Sequence, residues 1–293
     1  MKFRGIFTAI ITPFLENLKF DAKNFEKILE AQIAAAVDGI VVLGTTGESP
    51  TISHDEHQKI VELAVKIARG RIKIIAGTGS NSTDEAIKMT TDAEKIGADA
   101  ALLVNPYYNK PTQKGLFEHF SAIAAATKLP IILYNIAGRT GVNLETKTLL
   151  KLTKIENIVA VKEASGDLEQ IREVIAKVPK NFSVLSGNDD QNFEILKIGG
   201  HGAISVLSNI LPAETKKMIN FGLEKNFAEM EKMHQKFLPL VKNLFIETNP
   251  QPIKTLFAYE NFCAEIFRLP LTKMEPENRE KLISCWQKLK SEI

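Results

Sequence analysis

Lys162 follows four apolar residues, Ile158 to Val161, in "NIVAVKEASG", and Tyr134 follows "PIIL" in "PIILYN". Runs that apolar read as strands buried on both faces. Burying an ammonium is costly unless it is paired or gives up its proton. Lys162 is therefore either a lysine where a strand has reached the surface, or a neutral amine able to form a Schiff base. Tyr134 would put a phenol beside it to relay protons to and from a carbinolamine and imine, although alone it reads as a rim aromatic bonded to backbone. The "GTTGE" segment holds two hydroxyls, Thr45 and Thr46, and exposed N–H groups suited to a carboxylate. Its plainer reading is a glycine-rich turn leading into a helix. Arg139 in "GRTG" has the fork geometry to grip a second carboxylate, against the plain reading of a solvated loop arginine.

What is missing narrows the chemistry further. No histidine stands at metal-ligand spacing with an acid on a strand end, so neither a metal nor a cofactor is expected. No glycine-rich phosphate cradle follows the last strand, where "VLSN" stands. A carbonyl acid that forms an imine suits these residues better than a phosphorylated substrate.

Such groups must be carried by a scaffold that brings them together. The chain has 293 residues, with 37 Lys+Arg against 35 Asp+Glu scattered along it. No basic face for nucleic acid and no membrane patch is indicated. Cys263 and Cys285 lack CxxC spacing, no signal-peptide layout opens the chain, and no apolar stretch is long enough to span a membrane. A cytoplasmic protein is expected. Eight short apolar runs recur: "IFTAII", "DGIVVL", "IKIIAG", "DAALLV", "PIILYN", "IVAVKE", "FSVLSG" and "GAISVL". Amphipathic segments such as "NFEKILEAQIAAA" and "EHQKIVELAVKIA" separate them. Two open with Ser-x-x-Glu, Ser53–Glu56 and Ser82–Glu85, the spacing of a capping box. Eight strand–helix units predict a (β/α)8 barrel, an α/β fold, with a doubly wound open sheet as the competitor. The expected division is a barrel over residues 1–225 and a C-terminal helical subdomain over 226–293. In a barrel, chemistry sits at the C-terminal ends of the strands, where "GTTGES", "GTGSNST", "NPYYNKP", "YNIAGRTG", Lys162 and "SGNDD" all fall.

In order along the chain, "GTTGE", "NPYYNKP", "YNIAGRTG", "VKEASG", "SGNDD" and "GHGAISV" resemble the pyruvate-dependent class I aldolase family typified by dihydrodipicolinate synthase and N-acetylneuraminate lyase. The resemblance extends through "LFIETNPQPIKT" and "RLPLT". It implies that Lys162 forms an imine with pyruvate. Thr45, Tyr134 and Tyr108 would form the proton relay, Tyr108 reaching in from a neighbouring subunit. Thr46 and the backbone around Ile204 would bind the pyruvate carboxylate, and Gly187 would also be a substrate-binding residue. Arg139-Thr140-Gly141 resembles the branch that condenses pyruvate with L-aspartate 4-semialdehyde, at the entry to diaminopimelate and lysine synthesis. Arg139 would hold the semialdehyde carboxylate. The resemblance further implies a homotetramer, built as a dimer of dimers, and L-lysine as a feedback effector. Ser49, Pro50, His54, His57, Asn81, Glu85 and Tyr107 match the effector site. Against that, Glu85 is also the third helical residue of a capping box, and the histidines could be a solvated first turn. The chain departs from the family pattern at Ala137, Pro50 and Asn188, which bear on Arg139 placement, lysine sensitivity and charge at the rim. A sugar-acid lyase of the same family and a non-catalytic amino-acid-binding homologue are the alternatives. Arg139 disfavours the first, and an imine-forming lysine with its relay disfavours the second.

Overall fold

The computed structural model describes residues 3–293. Its eight parallel strands close into a barrel in chain order. They are β1 (Gly5–Ala9), β2 (Gly39–Val42), β3 (Lys73–Gly77), β4 (Ala100–Val104), β5 (Ile131–Asn135), β6 (Ile158–Glu163), β7 (Ser183–Ser186) and β8 (Gly202–Ser205). Each falls on one of the eight apolar runs, and β1 pairs with both β2 and β8, which sets aside the open sheet. The helices between them are α1 (Ala22–Ala34), α2 (His54–Ala68), α3 (Thr83–Ile96), α4 (Gln113–Ala125), the single turn α5 (Ala137–Thr140), α6 (Thr146–Leu152), α7 (Leu168–Lys177) and α8 (Asn192–Lys197). After β8 come α9 (Pro212–Leu223), α10 (Phe227–Asn243), α11 (Gln251–Tyr259) and α12 (Pro276–Lys290). Among the described residues no helix is long and apolar enough to cross a membrane.

The strands are apolar throughout because both their faces are covered. Inward side chains, among them Phe7, Val41, Ile75, Leu102, Ile132, Ala160, Leu185 and Ile204, fill the barrel interior. Outward ones such as Ile40, Ile74, Leu103, Leu133, Val161 and Val184 pack beneath the helices. A period of two fixes which face each strand-end residue takes. Tyr134 follows Ile132 and Lys162 follows Ala160, so both turn inward. Asn135 and Glu163, one residue later, turn outward.

Both expected helix caps are half formed. Ser53 Oγ accepts from Glu56 N at 3.3 Å and Ser82 Oγ from Glu85 N at 3.4 Å. The reciprocal half of each box is absent, because both glutamate side chains are engaged elsewhere. Glu56 makes a two-pronged ion pair with Arg268 at 2.6 and 2.7 Å. Glu85 accepts from Ser80 and lies 2.7 Å from His54. The expectation that the cap occupies Glu85 is thus corrected: its N–H is capped by Ser82, while its carboxylate is held by Ser80 and His54 at the cavity wall.

Candidate active site and effector pocket

The inward residues of β5 and β6 meet at the barrel mouth. Tyr134 and Lys162 are opposite one another in the strand register. They are 5% and 6% exposed, and the Lys162 Nζ lies 4.1 Å from the centroid of the Tyr134 ring. Among the described residues no carboxylate lies within 4 Å of that nitrogen. The stem of Lys162 needs a glycine across from it. A Cβ on Gly187 would sit 2.9 Å from Lys162 Cε and 2.9 Å from Glu163 O, and Gly187 N donates to that same carbonyl at 2.6 Å. The surface-exit reading of Lys162 therefore fails, since the amine ends inside the barrel against a phenol ring.

A cavity of about 370 Å³ opens beside this pair. Thr45, Tyr134, Ile136 and Arg139 line one part of it, and Ser49, Pro50, His54, His57, Glu85 and Tyr107 another. Lys162, Thr46, Gly187 and Ile204 are not in its wall; Lys162 meets it through the Tyr134 ring. Thr45 is half-buried, and Thr46 is 3% exposed with its Oγ1 accepting from Asn249 Nδ2 at 2.9 Å. Ile204 is an inward residue of β8. The amides just beyond it, Val206 and Leu207, already donate to Asp189 Oδ2 at 2.8 and 2.9 Å. Backbone groups near Ile204 that face a ligand must therefore be others. Asp189, next to the departure at Asn188, ties the segment after β7 to the segment after β8. Asn188 donates to Gln191 Oε1 at 3.1 Å.

Arg139 is exposed on α5, and its guanidinium donates to Asn249 O at 3.2 Å. Ala137 begins this turn and Gly141, at φ +72°, ends it in the left-handed region that suits glycine. Thr140 Oγ1 lies 3.0 Å from both Ile136 O and Val142 O within the same loop, so its one proton can serve either carbonyl. Tyr108 is 89% exposed, in a left-handed conformation at φ +71°, and the chain does not bring it to Lys162.

On the effector side, His57 is buried and its Nε2 lies 2.8 Å from Gly77 O. Burial pushes its pKa below the usual histidine value, and Nε2–H donates to that carbonyl. The Ser80 hydroxyl, then His54, holds the Glu85 carboxyl below its usual range. Asn81 is half-buried and donates to Tyr107 O at 3.2 Å, outside the cavity wall.

Several residues the sequence reading left without a role surround these groups. Glu48 and Lys254 form an ion pair at 2.5 Å with both side chains 0% exposed. Burial lowers the Lys254 pKa while Glu48 opposes the shift. Behind β5 and β6, Asn135 Nδ2 lies 3.3 Å from Glu163 Oε1, and Ser165 Oγ donates to Oε2 at 3.0 Å. With no cation paired to it among the described residues, burial pushes the Glu163 carboxyl up to about 7. The trace of both features was a charged residue inside an otherwise buried stretch, in "GTTGES", "QPIKT" and "VKEASG". Among the described residues no group of three or more His, Cys, Asp or Glu could hold a metal ion.

The chain is similar in sequence and fold to known proteins. The 4-hydroxy-tetrahydrodipicolinate synthase of Endomicrobium trichonymphae is 50% identical over 281 residues, 96% of each chain. A crystal structure of the chloride-inhibited dihydrodipicolinate synthase of Acinetobacter baumannii complexed with pyruvate matches at TM-score 0.96 and 41% identity, covering 98% of this chain and 99% of that one. The dihydrodipicolinate synthase of Cyanidioschyzon merolae with lysine bound matches at TM-score 0.96 and 36% identity, covering 98% of each chain. The model of the dihydrodipicolinate synthetase family matches residues 2–289, nearly the whole barrel and the helices that follow it. With an inward lysine and tyrosine in register on neighbouring strands of that barrel, the chain belongs to the dihydrodipicolinate synthetase family.

Proposed function

We propose that Lys162 carries the 4-hydroxy-tetrahydrodipicolinate synthase activity of this chain by forming an imine with pyruvate. The observation that carries this reading is a buried amine in register with Tyr134, without a carboxylate to neutralise it. Nζ attacks the ketone carbon of pyruvate, and the resulting carbinolamine loses water to give the imine. Loss of a proton from the methyl carbon gives an enamine, which attacks the aldehyde carbon of L-aspartate 4-semialdehyde. The amino group of that substrate then closes the ring onto the imine carbon and expels Lys162. Each step moves a proton, and Tyr134 and Thr45 are the groups placed to carry it. Tyr108 of a second copy completes the relay. Its 89% exposure, and its absence from the cavity wall of its own chain, support a dimer and, in the family pattern, a homotetramer.

Thr46 and backbone near Ile204 bind the pyruvate carboxylate in this reading, Gly187 is a further substrate-binding residue, and Arg139 binds the carboxylate of the semialdehyde. Ser49, Pro50, His54, His57, Asn81, Glu85 and Tyr107 form the site for L-lysine. The lysine bound to the C. merolae relative supports this assignment, as does a Glu85 carboxylate turned toward the cavity to receive an ammonium. The division into a barrel, 1–225, and a helical subdomain, 226–293, belongs to the same reading, supported by the Asn226 cap that starts α10. A cytoplasmic location accords with two cysteines that are both free thiols. The deciding assay supplies pyruvate and L-aspartate 4-semialdehyde with and without L-lysine. Condensation suppressed by lysine is expected. Turnover insensitive to millimolar lysine would remove the effector assignment, and no dependence on Lys162 would remove the mechanism.

A further inference from the structure

We infer that the Glu48–Lys254 ion pair, together with the Asn249–Thr46 hydrogen bond beside it, positions the Thr45 and Thr46 hydroxyls from the C-terminal helices. This inference rests on the reading of Thr45 as a relay group and Thr46 as a pyruvate ligand. Glu48 closes the turn that presents them. Its N–H donates to Thr45 O at 3.1 Å, Gly47 N donates to Gly44 O at 3.1 Å, and Thr12 Oγ1 fastens Gly47 O at 2.7 Å. Glu48 itself sits in the left-handed region at φ 56°, ψ 34°, a conformation a side chain other than glycine or asparagine keeps only when its surroundings hold it. The carboxylate supplies that hold. Oε1 takes the Lys254 ammonium at 2.5 Å and Oε2 lies 3.4 Å from Arg268 N. Lys254 is in turn packed over Phe14 at 4.1 Å and Phe267 at 5.1 Å.

Both oxygens of Glu48 are thus turned to residues more than 200 positions later in the chain, away from solvent and the cavity. Glu48 is a positioning residue and not one that touches substrate. Buried ion pairs are weak devices for stability, because desolvation offsets much of their attraction. What this one does well is fix geometry. Asn249 extends the same clamp, with Nδ2 on Thr46 Oγ1 and its carbonyl on Arg139, so one stretch before α11 touches two candidate ligand groups.

The test is a double-mutant cycle on kinetics, run well below the melting temperature of each purified protein. Glu48→Gln keeps the shape and removes the charge. We expect it to lower kcat about tenfold and raise KM for pyruvate severalfold, while borohydride still traps pyruvate on Lys162. Thr45→Val alone should lower kcat by about a hundredfold, and adding E48Q to it should cost less than about threefold more. Should E48Q not fold, the E48Q/K254M double variant carries no unpaired buried charge and must show the same kcat loss. Wild-type kcat and KM in a variant with a lowered melting temperature would overturn the inference. So would an E48Q loss that is undiminished in the T45V background. If T45V kept full kcat, the relay reading would fall by itself, and the same cycle on Thr46→Val, read through KM for pyruvate, would judge the anchor.

Discussion

Lys162 and Lys254 are 6% and 0% exposed, and each amine lies 4.1 Å from the centroid of an aromatic ring, Tyr134 in one case and Phe14 in the other. They differ in what balances the charge. Lys254 has the Glu48 carboxylate at 2.5 Å. Lys162 has no carboxylate within reach among the described residues, and its amine rests against a phenol ring. Burial therefore does not by itself mark a nucleophile. An amine buried against a counter-ion suits a fixed clamp, whereas one buried without a counter-ion suits the nucleophile proposed above. Glu48 and Glu163 repeat the contrast among carboxylates. The first is paired; the second has only amide and hydroxyl partners, and burial raises its pKa to about 7.

The largest expected effect separates the two lysines. Lys162→Ala should lower kcat by at least about 10⁴-fold, since no other group replaces the nucleophile, against about tenfold for Lys254→Met. Steady-state rates on folded protein check this, and comparable losses would erase the distinction. Next, Arg139→Ala should lower kcat/KM for the semialdehyde about a hundredfold, on the order of 3 kcal/mol, with pyruvate trapping intact. Equal loss of both steps would show that Arg139 supports the whole mouth and not one substrate. A smaller effect is expected in the effector pocket, where Glu85→Gln should raise the lysine concentration for half-inhibition by about tenfold. An unchanged inhibition curve would remove Glu85 from the ammonium site.

The last effect concerns stability, not activity. The Glu163 pKa is raised from 4.5 to about 7 by burial, so the folded protein keeps a proton that the unfolded chain has released. That contribution is fully present below pH 4.5 and is lost as the pH rises to about 7. Glu163→Gln should leave stability nearly unchanged at pH 4.5. At pH 8 it should raise stability relative to the parent by up to about 3 kcal/mol. Urea midpoints at the two pH values measure it. A destabilised variant at pH 8 would mean that Glu163 is a charged anchor like Glu48.

The mouth was legible in the sequence and the clamp was not. "IVAVKE" and "PIILYN" end on polar residues after unbroken apolar runs, and the period of a strand turns Lys162 and Tyr134 to the same side. Nothing local pairs Glu48 with Lys254, because an amphipathic helix shows which of its faces is buried and not what it is buried against. The capping boxes misled for a related reason. Ser53 and Ser82 cap as their spacing suggests, but Arg268 and His54, distant in sequence, compete for the glutamates and win. Neither strand period nor the cavity of a single chain assigns Tyr108, which is 89% exposed, and the relay proposed for it rests on the family resemblance and a second chain.

The most direct test exposes the native protein to pyruvate and borohydride and maps every modified lysine by mass spectrometry. The account predicts one reduced pyruvate on Lys162 and none on Lys254, with labelling abolished in Lys162→Ala. A label on Lys254 or any other lysine, with Lys162 unmodified, would contradict it.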